Sequence, residues 1–213
     1  YTRCLKQVLE TGLVGEPLHM LLVQLSGPKT DDKMTKARAG GIFYEKLCHQ
    51  IDYFRFWLGE PERVMAYAAP IALRQYDIPD NVTSVLVFPG GRSGSIAFDT
   101  TRAAQVGGTS DHGDRGHFYE LVLTCTRGSL TYDAWTERVE VVRFNHRSDN
   151  CNELVDSIDV RARFGEPVYD LENQDSDFLV SVRDGKPLAN PASDALISME
   201  WVEKAEASLV SGG

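Results

Sequence analysis

The spacing of apolar residues divides the chain into a helical start, a strand-rich middle and a helical end. Thr2–Glu10 carries Leu5, Val8 and Leu9 at helical intervals and runs into Gly12 and Gly15, which predicts a short helix stopped by glycine. Pro17–Leu25 follows. Its Leu18-His-Met-Leu-Leu-Val-Gln-Leu run is too continuously apolar for an exposed edge and predicts an interior strand. Ser26–Ala39 is polar around Gly27 and Pro28 and predicts a loop. Beyond Gly40-Gly41 the helical period returns: Phe43, Leu47, Ile51, Phe54 and Leu58 form one apolar face that ends at Gly59.

From Arg63 onward the texture changes to short runs rich in Val, Leu, Phe and Tyr. Arg63–Ala69, Val82–Phe88, Ser95–Phe98, Phe118–Cys125, Leu130–Tyr132 and Arg138–Phe144 read as strands. Pro89–Gly94 and Arg127-Gly128 supply tight turns between some of them, which implies antiparallel pairing. The pattern predicts an α+β domain: an open, mainly antiparallel sheet of about six or seven strands with helices packed on one face. Asp175–Arg183, with Phe178, Leu179 and Val182 apolar and Gly185 as its stop, predicts a first closing helix. A second is expected from Ser193, as N-cap, to about Val210, with Ala195, Met199, Val202 and Leu209 on one face. There is no internal repeat, and 213 residues fit a single domain.

Composition narrows the function classes. A hydrophobic share of 42% and a charged share of 25% are those of an ordinary globular protein. The net charge of −9 argues against nucleic acid or an anionic membrane as the main partner. No apolar run approaches a membrane span, and no signal-peptide pattern opens the chain. Cys4, Cys48, Cys125 and Cys151 lack metal-ligand spacing; Cys48 and Cys125 read as core thiols, and a reduced, cytoplasmic setting is expected. Because the chain starts at Tyr1 rather than Met, a processed or trimmed piece of a larger product is expected. Neither Gly-x-Gly-x-x-Gly after a strand nor Gly-x-x-x-x-Gly-Lys-Ser/Thr is present, and the glycine-rich Gly90–Gly94 stretch reads as a hairpin turn.

The candidate chemistry lies on the helix after Gly41. At about 100° per residue, Glu45, His49 and Asp52 fall within roughly 60° of each other, opposite the apolar face. A His with a carboxylate one turn away is the minimal equipment for moving a proton near neutral pH. The same pair occurs on solvated helix faces, and that reading stays open. A second constellation is Ser110-Asp111-His112-Gly113-Asp114-Arg115-Gly116-His117, just before a strand. Arg115 and His117 are its candidate substrate contacts for a polyol or acid; a metal site and a plain solvated loop remain open. Tyr132 and Trp135, near a turn, read as packing residues.

Three segments together resemble the C-terminal domain of the Gfo/Idh/MocA oxidoreductases, the glucose–fructose oxidoreductase and inositol dehydrogenase family. The opening Tyr1–Leu18 is similar to the helix and Gly-x-x-Gly turn that follow the family's nucleotide domain. Gly40–Gly59 is similar to its Gly-Gly-Gly-x-Leu-x-Asp-x-Gly-x-His-x-x-Asp segment, including the exit Trp57-Leu-Gly-Glu-Pro61. Phe178…Val182-Arg-Asp-Gly-Lys-Pro…Ser193-Asp194-Ala195…Gly212 resembles its closing helices.

The resemblance implies the following. The chain spans residues 1–213 as one substrate-binding and oligomerisation domain with a dihydrodipicolinate-reductase-like fold, and the Rossmann domain is absent from it. NAD or NADP is held mainly by that absent domain. His49 falls on the family's catalytic acid/base, and Glu45 falls on its aspartate. Asp52 matches the aspartate one turn later, with a structural hydrogen-bonding role, and joins Arg115 and His117 in the substrate-binding set. The substrate is a sugar, cyclitol or similar small molecule, and a homo-oligomer forms through the open sheet face. Three positions depart from the family pattern: Glu replaces Asp at 45, Leu47 replaces Gly, and Cys48 takes a small-residue place. Two other functions stay in view. One is a non-catalytic ligand-binding or dimerisation module without a nucleotide domain. The other is a metal-dependent hydrolase using His49, Glu45 and Asp52.

Overall fold

The computed structural model describes residues 1–26, 41, 43–69, 79–100, 117–134, 136–145, 152–165, 171–188 and 190–210. Helix α1 (Thr2–Glu10) leads into β1 (Pro17–Ser26). A π-helical turn (Phe43–Leu47) runs directly into α2 (Cys48–Leu58). The strands β2 (Arg63–Ala69), β3 (Asn81–Val87), β4 (Ser93–Asp99), β5 (His117–Cys125), β6 (Gly128–Asp133), β7 (Arg138–Arg143) and β8 (Glu153–Asp159) follow. Helices α3 (Val160–Phe164), α4 (Leu171–Asp184) and α5 (Ala192–Val210) close the chain.

All eight strands join one sheet in the order β2-β3-β4-β1-β5-β6-β7-β8. Only β1 and β4 pair in parallel; the other neighbours are antiparallel. The parallel pair arises because the chain leaves β1, passes through α2, and returns by β2 and β3 before laying β4 beside β1. The sheet is therefore open, mixed and mostly antiparallel, as the pattern predicts. The apolar β1 run is indeed interior, between β4 and β5.

β8 and α3 are additions to the expected elements. In β8 only Ile158 is buried, so its sequence carries no two-residue alternation to read. α3 is a single short turn, held by the Asp159 carboxylate accepting from the Ala162 N–H at 2.8 Å. The last helix begins at Ala192, so Ser193 lies in its first turn instead of capping it: the N–H groups of Asp194 and Ala195 donate to the Pro191 carbonyl. Its buried line is Ser198, Val202 and Ala205, while Ala195 is exposed.

One sheet face is covered. Met20, Leu22, Ile96, Leu121, Leu123 and Leu130 point inward against Phe54, Ile51 and Leu58 of α2 and Leu5 of α1, all without solvent exposure. Close approach is possible because β4 offers Gly94, where a Cβ would overlap the Phe54 ring. Tyr132 is buried and stacks on Tyr1 at 4.3 Å between ring centroids, which bears out its packing role; Trp135 lies outside the described residues. On the opposite face Leu21, Met65 and Tyr67 remain 36%, 61% and 70% exposed.

Candidate active site

The motif helix buries the face its sequence predicts: Phe43, Leu47, Ile51, Phe54 and Leu58 are all 3% exposed or less. Its first five residues are wound as a π turn, a form that recurs at functional sites. The Glu45 N–H donates to the Gly41 carbonyl at 3.0 Å, and the Cys48 Sγ to the Tyr44 carbonyl at 2.9 Å. Wider winding here alters the angle between Glu45 and His49 from the one a straight α-helix projects.

Three polar side chains of the motif have distinct surroundings. His49 is exposed on the outer side of α2, and its ring makes no hydrogen bond to the described residues. Glu45 is half-buried, with a carboxylate oxygen 3.3 Å from Lys46 Nζ. Asp52 accepts a hydrogen bond from Ser198 Oγ at 3.0 Å and lies 3.6 Å from Arg55 Nη1. Asp52 thus ties α2 to α5.

Arg55 completes that tie, and sequence reasoning missed it. It is a charged residue only 8% exposed on a helix whose neighbours are apolar. Its Nη2 donates to Glu60 at 2.6 Å and to Asp194 at 2.8 Å, and its Nη1 donates to Ser198 Oγ at 2.7 Å. Hydrogen bonds to Glu60 first, and then to Asp194, hold the guanidinium well above its ordinary range. A surface concavity between the helices is lined by Asp52, Arg55, Phe56, Glu60, Asn190 and Asp194.

Beneath His49 a buried amide pair connects helix and sheet. Gln50 Nε2 donates to Gln24 Oε1, with Gln50 1% and Gln24 6% exposed. Gln50 Oε1 is buried without a partner among the described residues. Such polar residues on an otherwise apolar face are the signal that reading for charge alone passes over.

This pair fixes where the motif lies. Gln24 is two residues from the end of β1, and Ser26 at that end pairs with His117, the first residue of β5. The motif helix therefore crosses β1 near the end of the sheet at which β5 begins. Arg115, Asp111, His112 and Asp114 lie outside the described residues, as does Cys151. Of the expected core thiols, Cys125 is 1% exposed, and its thiol is pushed up to about 12 by burial, with a smaller push from Glu16. Cys48 is only half-buried. No cluster of three or more His, Cys, Asp or Glu able to hold a metal occurs among the described residues. No described helix is long and apolar enough to cross a membrane.

An eight-stranded mixed sheet with helices on one face, the other face uncovered by the described residues and a histidine-bearing helix over one end, defines the class of open-faced α+β domains. The chain belongs to the GFO/IDH/MocA C-terminal domain family, whose model matches residues 2–131. No curated protein sequence matches it.

Solved structures share the fold at low identity. An NAD-binding oxidoreductase from Klebsiella pneumoniae is 18% identical with a TM-score of 0.72, over 98% of this chain and 61% of its own. Levoglucosan dehydrogenase in complex with NADH and levoglucosan is 18% identical with a TM-score of 0.73, over 98% of this chain and 60% of its own. An Agrobacterium radiobacter oxidoreductase in complex with NAD+, L-tartaric acid and magnesium is 18% identical with a TM-score of 0.69, over 99% of this chain and 60% of its own. The chain thus spans about three fifths of the length of these structures.

Proposed function

We propose that this chain is the substrate-binding half of a two-domain NAD(P)-dependent oxidoreductase that acts on a hydroxyl or carbonyl of a sugar, cyclitol or similar small molecule. The observation that carries the reading is the exposure of His49, in the segment that resembles the family's histidine motif, on a helix whose neighbouring Gln50 is anchored to Gln24 near the end of β1. Family membership and the sugar-like or hydroxy-acid ligands named in the neighbouring structures support it.

The glycine-rich stretch among the described residues does not fit a dinucleotide. The glycine-rich stretch is the β3–β4 turn, with Gly90 and Gly91 at φ 75° and 78° and open space around each, not a turn from strand into helix. The cofactor is accordingly assigned to polypeptide outside these residues, where it would supply the hydride chemistry. This chain's part is the proton. The His49 imidazole takes the proton from the substrate hydroxyl, or returns it to the carbonyl oxygen, and the Glu45 carboxylate stabilises the imidazolium. Arg115 and His117 hold the substrate's polar groups. Asp52 belongs to the same set through its position beside the concavity, while its bond to Ser198 keeps α2 in place.

The uncovered sheet face is proposed as a surface between copies of the protein, since exposed Leu21, Met65 and Tyr67 otherwise form an apolar patch in water. The test of the function is dinucleotide binding and polyol oxidation by the natural gene product. Binding of NAD or NADP with nicotinamide reduction by a sugar or cyclitol is the expected result. A product that binds neither dinucleotide is a ligand-binding or dimerisation module instead.

A further inference from the structure

Helix α4 stands apart from the body of the domain. Asp175 through Val180 are all exposed, as are Val182, Arg183 and Asp184. Its large apolar side chains share that exposure: Phe178 is 52%, Leu179 64% and Val182 62% exposed. Phe178 and Val182 are four residues apart and Leu179 and Val182 three, so the three make one stripe. Charged Asp175, Asp177, Arg183 and Asp184 surround the stripe, giving an apolar centre with a polar rim.

A helix of 14 residues is marginal in water by itself and draws its stability from burying an amphipathic face. Among its described side chains only Ser181 is partly covered. The stripe therefore calls for an occupant. The solved neighbours cover 97–99% of this chain, a span that includes α4, yet this chain accounts for only 58–61% of theirs. About two fifths of such a polypeptide is left over to cover exposed surface. A second copy is the weaker occupant, because the exposed sheet face already serves that purpose in the reading above.

We propose that the Phe178–Leu179–Val182 stripe of α4 is the docking seat for the nucleotide-binding segment of the same polypeptide. The proposal rests on the two-domain reading. In it, α4 is an arm that fixes the cofactor-bearing segment relative to the motif helix, through the short 185–191 connection to α5 and the Arg55–Asp194 tie.

Photo-cross-linking tests it. Leu179→p-benzoylphenylalanine and, separately, Val182→p-benzoylphenylalanine are made in the natural gene product, irradiated and mapped by peptide mass spectrometry. Both positions are exposed in this domain, so the fold tolerates the change. The expected result at both is an intrachain cross-link to polypeptide outside residues 1–213. Cross-links to residues within 1–213 of a second copy overturn the proposal, as does the absence of cross-links with α4 amides exchanging like an unstructured peptide. Intact mass separates the two readings. A product of only 213 residues overturns both, whereas a longer product cross-linked elsewhere overturns the docking seat alone.

Discussion

At the scale of single residues, His49 and Cys125 illustrate opposite environments. His49 is exposed, so its removal is expected to disturb folding little. In the natural gene product, His49→Ala is expected to lower kcat about a hundredfold or more while leaving the dinucleotide dissociation constant unchanged. Turnover near the unmodified level would remove His49 from the mechanism. Cys125 and Tyr132 are buried, and burial pushes each up to about 12, from ordinary values near 9.0 and 10.0. The fold favours their neutral forms. Their contribution is complete below the unfolded values and is lost as pH rises through the folded ones. Urea midpoints should therefore hold steady to about pH 9 and fall increasingly above about pH 10. His49 was picked out as an acid/base candidate by its place in the Gly40–Gly59 segment that resembles the family's, since its spacing from Glu45 also suits a solvated helix face. Gln50 was not, because an amide within an apolar helix face reveals its partner Gln24 only once β1 lies beneath it.

At the scale of elements, α2 is held by one close approach and one ionic tie. Gly94 lets the Phe54 ring sit directly on β4. Gly94→Ala forces that ring and the helix outward and is expected to cost about 2 kcal/mol in chemical denaturation, typical of overpacking. Arg55 bonds residues on either side of the helix: Glu60 in the loop after it and Asp194 and Ser198 on α5. Because Glu60 and Asp194 keep about half their side-chain exposure, Arg55→Met should cost about 2 kcal/mol, not the larger loss of a fully buried charge pair. The apolar period of α2 and the alternation in β3, β4 and β6 made those elements readable in advance. The π turn was not readable, since an apolar period does not distinguish four residues per contact from five over so short a stretch. β8 lacked any alternation because most of its side chains face solvent.

At the scale of the whole molecule, large apolar side chains are exposed on the open sheet face and along α4. Leu21 sits on β1 at the middle of the sheet, so Leu21→Glu places a charge in the centre of the proposed surface between copies. Sedimentation of the natural gene product is expected to shift from oligomer towards monomer in that variant; an unchanged oligomer would place the interface elsewhere. The sequence by itself determined the kinds of element, the buried face of α2, an open and mainly antiparallel sheet, and the family through three separated motifs. These follow from local periodicity and residue type, which report how each segment meets its immediate surroundings. The tertiary structure alone decided that β4 lies parallel to β1, that Gln24 meets Gln50, that Arg55 reaches a partner 139 residues away, and that Phe178, Leu179 and Val182 of α4 are exposed. Those depend on which distant surfaces fit together once the chain has folded back on itself, and a one-dimensional pattern of polar and apolar positions does not name a distant partner.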